Sequence, residues 1–146
     1  MKKVLSSIAL SLSLIIITTF IFNCGPTPTA APEVVVDPLR FSEAMADFKS
    51  ADSLKKPRPN SVLFVGSSSI RGWKTLSADF PELHVLNRGF GGSHMSDLIY
   101  FMDDIVFPYR PNAILVYEGD NDIADGKTPE VILRDYNIFV SGVLEK

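Results

Sequence analysis

The stretch "VLFVGSSSIRGW", residues 62–73, decides the fold class. It opens with a continuous apolar run, which is typical of a strand buried on both faces of a parallel sheet. The run ends in a glycine and three consecutive serines, and a short helix or turn is predicted to follow. A strand that passes directly into a helix is the beginning of a βα unit.

Two further stretches repeat this order. Residues 83–89, "LHVLNRG", form a second predicted strand and run into "FGG", and residues 112–122, "NAILVYEGDND", form a third that ends in acidic residues. Strands that alternate with helices pair in parallel through right-handed crossovers. The sequence therefore predicts an α/β domain with a parallel sheet and helices on both of its faces.

Three helices longer than the serine segment are predicted from apolar spacing. The first follows Asp37 and Pro38, a typical N-cap and first-turn proline, and the last begins with Thr128 and Pro129 in the same arrangement. Between them, residues 93–109 form one predicted helix with Ser93 as a plausible cap. Its apolar stripe consists of Met95, Leu98, Ile99, Met102, Ile105 and Val106.

The three strand ends carry complementary chemistry. They are the segments 66–69 (Gly-Ser-Ser-Ser), 87–92 (Asn-Arg-Gly-Phe-Gly-Gly) and 118–122 (Glu-Gly-Asp-Asn-Asp). Ligands of open parallel sheets bind beyond the carboxyl ends of the strands, so these segments are expected to meet. A serine hydroxyl, a glycine N–H and an asparagine amide can supply a nucleophile and an oxyanion hole. The alternative is that the serines only cap a helix.

The blocks "GSSSIRGW", "NRGFGG" and "GDND" resemble those of the SGNH (GDSL-like) hydrolases, in the branch related to platelet-activating-factor acetylhydrolase. The resemblance extends from about Phe41 to Lys146. It implies a flavodoxin-like three-layer α/β/α sandwich and a cofactor-independent serine ester hydrolase. It also implies Ser68 as nucleophile, and the Ser68 N–H, the Gly92 N–H and the Asn121 side chain as oxyanion donors.

The family's Asp-x-x-His block, which supplies the general base and its carboxylate, does not occur in the 146 residues. We therefore expect residues 39–146 to be a hydrolase domain that lacks its C-terminal part and is inactive alone, with the base located beyond Lys146. The alternative is a non-catalytic surface lipoprotein domain. His84 is predicted at the opposite end of the sheet, whereas His94 lies near the site but is a poor candidate for the base.

Other ligands are not indicated by the motifs. The spacing of acidic residues after Asp120 does not match a calcium loop, and "GSSSIRGW" lacks the lysine of a phosphate loop, so no metal or nucleotide is predicted. Trp73, Met95 and Met102 are predicted in the core, and Asp97 as a capping or structural carboxylate. Arg71 and Arg88 are expected either to pair with acidic side chains or to face solvent. The chain has 14 basic and 17 acidic residues without a basic stripe, which argues against nucleic-acid binding.

The N-terminus resembles a bacterial lipoprotein signal. Lys2 and Lys3 precede an uncharged run, residues 4–22, and the single cysteine, Cys24, follows it. We expect residues 1–23 to be a signal peptide and residues 24–38 a lipidated cysteine with a Pro/Thr-rich tether. The protein would then be exported and anchored at the cell envelope through acyl chains on Cys24, and its substrate would be a small ester or acylated compound.

Overall fold

The computed structural model describes residues 36–146, and the predicted leader, Cys24 and nearly all of the tether lie outside this range. The sheet has three parallel strands in the order β2-β1-β3. They are β1 (Val62–Gly66), β2 (Val85–Gly89) and β3 (Ala113–Tyr117). Parallel pairing, predicted from the alternation of strands and helices, is confirmed.

Seven α-helices surround this sheet in the described part of the chain. They are α1 (Ser42–Leu54), α2 (Ser68–Gly72), α3 (Leu76–Asp79), α4 (Met95–Tyr100), α5 (Met102–Ile105), α6 (Asp120–Ala124) and α7 (Pro129–Leu144). Short 3-10 turns occupy Pro38–Phe41 and Phe107–Tyr109. Asp37 caps the first of these turns by accepting a hydrogen bond from the Leu39 N–H, as its position before Pro38 predicts.

The apolar run of β1 is buried on both faces, which confirms its prediction. Leu63 and Val65 face a large core formed with α1, α4, α5 and α7, whereas Phe64 faces a smaller core with Ile70 and Leu76. Side chains alternate between the two faces of a strand, so one apolar run serves both cores. The sheet is thus the middle of three layers. Met95 and Met102 are buried in the large core as predicted, and Trp73 packs beside the small one.

The helix predicted over residues 93–109 is wrong in its continuity. The segment is divided into α4 and α5 at Phe101, and the second part passes into a 3-10 turn. At the division, the Phe101 ring packs edge to face against Phe41 and Phe90 in the core. Ser93 is not the cap. His94 is the N-cap, and its backbone N–H donates to the Asp97 carboxylate at 2.9 Å, which confirms the capping role expected for that carboxylate.

Gly66 ends β1 in a conformation that an L side chain rarely adopts, with φ at 143°. A Cβ atom at this position would overlap the carbonyl group of Tyr117 on the neighbouring strand. The glycine therefore lets the chain leave β1 tightly against β3 and turn into α2. This turn sets the position of the serines that follow.

Candidate functional site

The three strand ends lie side by side at one edge of the sheet. In the parallel register, Gly66 at the end of β1 is opposite Gly89 on β2 and Tyr117 on β3. The segments that follow these residues therefore leave the sheet at the same level. This is the arrangement that the sequence predicted for the site.

Ser67 is the residue on which this edge converges. Its side chain is fully buried, and its Oγ accepts hydrogen bonds from the Gly92 N–H at 3.0 Å and from the Asn121 Nδ2 at 2.5 Å. The donors come from the segments after β2 and β3, 25 and 54 residues away in sequence. One hydroxyl thus contacts two of the three donors predicted for an oxyanion hole.

Local backbone structure places each donor. Gly92 has a φ of 86°, in the left-handed region that favours glycine, and this turn presents its N–H to Ser67. Asn121 lies in α6, a short helix where the sequence indicated only acidic turn residues. The Asn121 Nδ2 also donates to the Ser93 carbonyl at 2.9 Å, so both hydrogens of the amide are engaged.

Ser68, the residue implied as nucleophile, is the first residue of α2 and is exposed to solvent. The structure brings Gly92 and Asn121 into contact with Ser67 and leaves Ser68 beside them at the surface. Because the three serines are consecutive, sequence spacing does not distinguish the buried one from the exposed one. The glycine at the end of the strand is the available signal, since the residue directly after it enters the interior here.

Glu118 is a partly buried carboxyl group at this edge, to which the sequence had assigned no role. Its Oε2 accepts a hydrogen bond from the Ser93 Oγ at 2.9 Å, while Oε1 is buried without a partner among residues 36–146. Burial raises the pKa of Glu118 to about 8, and the hydrogen bond from Ser93 opposes this shift only in part. Glu118 therefore contacts the same residue whose carbonyl orients the Asn121 amide.

Asp122 joins the two later strand ends. This carboxylate is fully buried, accepts a hydrogen bond from the Met95 N–H at 3.1 Å and pairs with Lys127 at 2.6 Å. It therefore ties the start of α4 to α6. The sequence indicated acidic residues at this strand end, but charge alone did not predict that one of them is buried and paired.

Neither histidine is placed as a base. His84 precedes β2 at the amino end of the sheet, where its Nε2 is 2.8 Å from the Arg58 side chain, in agreement with the prediction. His94 is at the site edge, but its Nε2 lies 2.9 Å from the Asp125 carboxylate and its Nδ1 lies 3.9 Å from the Asp97 carboxylate. The His94 ring is thus directed toward two carboxylates and is hydrogen-bonded to Asp125.

Within residues 36–146, His, Cys, Asp and Glu side chains do not gather into a group of three or more able to hold a metal ion. No helix in this part of the chain is long and apolar enough to cross a membrane.

No protein-family model and no curated protein matches the sequence. Three solved structures resemble the fold. A Streptococcus pneumonia protein described as a platelet activating factor is 19% identical to this chain, with a TM-score of 0.61. The match covers 70% of this chain and 48% of that protein. A GDSL-like lipase from Bacteroides thetaiotaomicron is 15% identical, with a TM-score of 0.58, and the match covers 66% of this chain and 51% of the lipase. A Bacteroides fragilis protein described as an acylhydrolase is 20% identical, with a TM-score of 0.55, and the match covers 75% of this chain and 52% of that protein.

The chain thus spans about half the length of these three structures. At these identities the likeness concerns the fold, which is shared by proteins described as a lipase and as an acylhydrolase. The parallel sheet between two layers of helices agrees with the flavodoxin-like architecture that the sequence predicted. Residues 36–146 therefore have the SGNH (GDSL-like) hydrolase fold, over about half of its length in those structures.

Proposed function

We propose that this protein is a serine-dependent ester hydrolase of the lipase or acylhydrolase type. The observation that carries the proposal is the convergence of the Gly92 N–H and the Asn121 Nδ2 on Ser67 Oγ, directly beside the exposed Ser68. Preorganised donors of this kind stabilise the negative oxygen that forms when a serine attacks an ester carbonyl. The lipase and acylhydrolase descriptions of two structural neighbours point to the same chemistry.

Ser68 is the proposed nucleophile because a substrate can reach it from solvent. A general base would take the hydroxyl proton as the Ser68 Oγ bonds to the acyl carbon, and the carbonyl electron pair would move to oxygen and form the oxyanion. The Gly92 N–H, the Asn121 amide and the Ser68 N–H would donate to that oxygen. Collapse of this tetrahedral intermediate breaks the ester bond and releases the alcohol, which takes up the proton from the base. Water then hydrolyses the acyl-serine.

Ser67 has a separate role in this mechanism. It holds the two donors in place before substrate binds, because its Oγ accepts both hydrogen bonds. Hydrogen bonds to a charged oxygen are about twice as strong as those to a neutral one, so the donors would turn to the oxyanion as it forms. Direct contact with both donors also makes Ser67 the second candidate for the nucleophile.

The general base is proposed to be a histidine beyond Lys146. Its expected source is the part of the fold that the solved structures contain and this chain does not span. Within the described residues, the contacts of His84 and His94 occupy their side chains elsewhere. A serine hydroxyl without an adjacent base is a weak nucleophile, so we expect little turnover from the 146 residues alone.

The test is hydrolysis of 4-nitrophenyl acetate and butyrate by the product of the complete reading frame that contains this sequence. We expect S68A to lower kcat by about 10³-fold or more, S67A by a smaller factor, and S69A, a neighbouring exposed serine, by less than about twofold. If S67A abolishes turnover and S68A does not, Ser67 is the nucleophile. If all three variants equal the wild type, the serine mechanism is wrong.

A non-catalytic surface lipoprotein domain is the second candidate function. The positions of the two histidines favour it, since His84 contacts Arg58 and the His94 Nε2 contacts Asp125, and neither is placed as a base among residues 36–146. Sequencing the DNA beyond the codon for Lys146 distinguishes the two functions. An open frame that encodes Asp-x-x-His supports the esterase, whereas a stop codon supports the non-catalytic domain.

Attachment to the cell envelope through lipidated Cys24 is also a proposal. It is supported by the position of this cysteine between an apolar run and a Pro/Thr-rich segment. Metabolic labelling with a radioactive fatty acid tests it. We expect label on the wild type and none on C24S, and equal labelling of both would exclude Cys24 as the attachment point.

A further inference from the structure

Two arginines contact the turn that carries the Gly92 donor. The Arg40 Nη2 donates a hydrogen bond to the Gly92 carbonyl at 2.7 Å. The Arg71 guanidinium lies against Gly91, the residue before Gly92. A Cβ atom built on Gly91 would be 2.6 Å from the Arg71 Cζ. Consecutive Cα atoms are about 3.8 Å apart, so the two guanidinium groups lie on adjacent residues of one turn.

Arg71 also lies near the proposed nucleophile. Ser68 and Arg71 are three residues apart in α2, a spacing that places side chains on the same face of a helix. The backbone N–H of Arg71 donates to the Ser67 carbonyl at 3.0 Å, and this hydrogen bond fixes the first turn of α2 beside the site. The arginine side chain thus extends from the Ser68 face of α2 across to Gly91.

The charges of both arginines are uncompensated within residues 36–146. The cations that do pair with a carboxylate there are Lys49, Arg88, Lys127 and Arg134, whereas Arg40 and Arg71 form no salt bridge and are exposed. Two of the acidic groups that follow β3 have their charge reduced. Lys127 pairs with Asp122, and Glu118 is mostly protonated at neutral pH because burial raises its pKa to about 8.

We propose that Arg40 and Arg71 bind an anionic group, a carboxylate or a phosphate, on the ester that this site cleaves. This inference rests on the proposed function. A guanidinium carries five N–H donors in a planar fork that matches the oxygens of such groups. Arg40 uses one donor on Gly92 and keeps the others, and its position is fixed by stacking 4.9 Å from the centre of the Phe41 ring. The preferred substrate is accordingly a charged ester.

The test measures binding and needs no turnover. The full chain, in an uncharged detergent, is titrated with glycerol 3-phosphate, glycerate and glycerol, and the amide NMR signals of Gly91 and Gly92 are followed. We expect at least one of the anions to bind about tenfold or more tightly than glycerol. R40Q/R71Q should remove this preference. K55Q/K56Q, which removes the same charge in the segment leading into the amino end of β1, should keep it within about twofold.

Each outcome decides the proposal. Preference for both anions, or for either one, supports the arginine site and identifies the group that it accepts. Equal binding of glycerol and the anions, or equal weakening by the two double variants, overturns it. The amide spectrum of R40Q/R71Q checks that this variant is folded, and R71K, which keeps the charge but loses the fork, should bind with intermediate affinity. If the product of the complete reading frame prefers anions but cleaves no ester, the proposed function is wrong and the arginine site still stands.

Discussion

Asn121 uses both hydrogens of its side-chain amide inside the site, one on the Ser67 Oγ and one on the Ser93 carbonyl. The hydrogen bond to Ser93 orients the amide group so that its other hydrogen points at the Ser67 Oγ. Any side chain without an NH2 group at this position loses the donor to an oxyanion together with the link between the later two segments. The residue therefore offers a direct test of the proposed chemistry.

We expect N121A to lower kcat by about 10²–10³-fold in the product of the complete reading frame, which is the typical effect of removing one oxyanion donor. Steady-state hydrolysis of 4-nitrophenyl butyrate measures it. N137A, which truncates an exposed asparagine on α7, is the matched control and should retain activity. A kcat for N121A within about threefold of the wild type would remove Asn121 from the oxyanion hole.

Glu118 should make the protein less stable as the pH rises. Its pKa is about 8 in the folded protein, mainly because of burial, against an ordinary value of 4.5. Between these values the unfolded chain loses the proton while the folded chain keeps it, so the free energy of unfolding falls with increasing pH. We expect Tm to decrease by on the order of 10 °C from about pH 5 to about pH 8.

Thermal melts of the wild type, E118Q and E130Q across this range test the prediction. E118Q keeps the shape of the side chain without its titration, so its curve should be flatter. Glu130 is exposed and its pKa is lowered by the Thr128 hydroxyl, so E130Q should follow the wild type in this pH range. Parallel curves for the wild type and E118Q would show that Glu118 does not cause the pH dependence.

At the scale of elements, β3 is an edge strand with apolar side chains in solvent. It pairs with β1 on one side only, and Leu115 and Tyr117 are 41% and 50% exposed. Beside it, β3 and α7 line an apolar cavity of about 810 Å³. Exposed apolar edges promote association between chains, and a charged side chain on the edge opposes it.

We expect the 146-residue chain to self-associate and L115K to reduce this association, because the lysine places a charge on the open edge. Sedimentation velocity at several protein concentrations measures the effect. L54K changes a leucine that is 87% exposed at the end of α1, and it should associate like the wild type. If both variants sediment like the wild type, the β3 edge is not the contact.

A buried arginine attaches α1 to the rest of the large core. Arg88 on β2 forms a short ion pair with Asp52 of α1, and its Nε donates to the Tyr109 hydroxyl at 2.9 Å. Tyr109 in turn donates to Asp52 at 2.6 Å. The sequence left the partner of Arg88 open because Asp52 is 36 residues away.

Replacing one member of this buried pair leaves the other charge without a partner. We expect R88M to lower the free energy of unfolding by about 3 kcal/mol, since Asp52 keeps some contact with water. Urea unfolding followed by the fluorescence of Trp73, the single tryptophan, measures the change. K49M, which breaks the solvent-accessible pair between Lys49 and Asp104, should cost less than about 1 kcal/mol. A loss for R88M as small as that of K49M would show that the network is not important for stability.

Sequence predicted the strands well because apolar runs and glycines specify buried strands and their ends. It predicted the division between α4 and α5 poorly, because the apolar spacing continues through Phe101 and only the packing of that ring in three dimensions reveals the break. The same limit applies to the site. The blocks indicated which segments meet, but the choice between Ser67 and Ser68 depends on burial, which neighbouring identical residues do not encode.

At the scale of the whole molecule, the described residues are organised around β1. It is the central strand, it contributes to both cores, and the site begins at its carboxyl end. Both neighbouring strands come later in the chain, in the order β2 and then β3. The three-layer arrangement and the site therefore depend on the same strand.

This strand order has a consequence for biosynthesis. The ribosome makes Ser67 first, Gly92 is added 25 residues later and Asn121 54 residues later. At about 5–20 residues per second, the nascent chain carries its apolar central strand for roughly 3 to 11 seconds before the last contact of the site can form. Until β2 and then β3 have been made, this aggregation-prone apolar strand lacks one or both of its partner strands. Chaperones that bind emerging chains would thus meet this protein before its site exists.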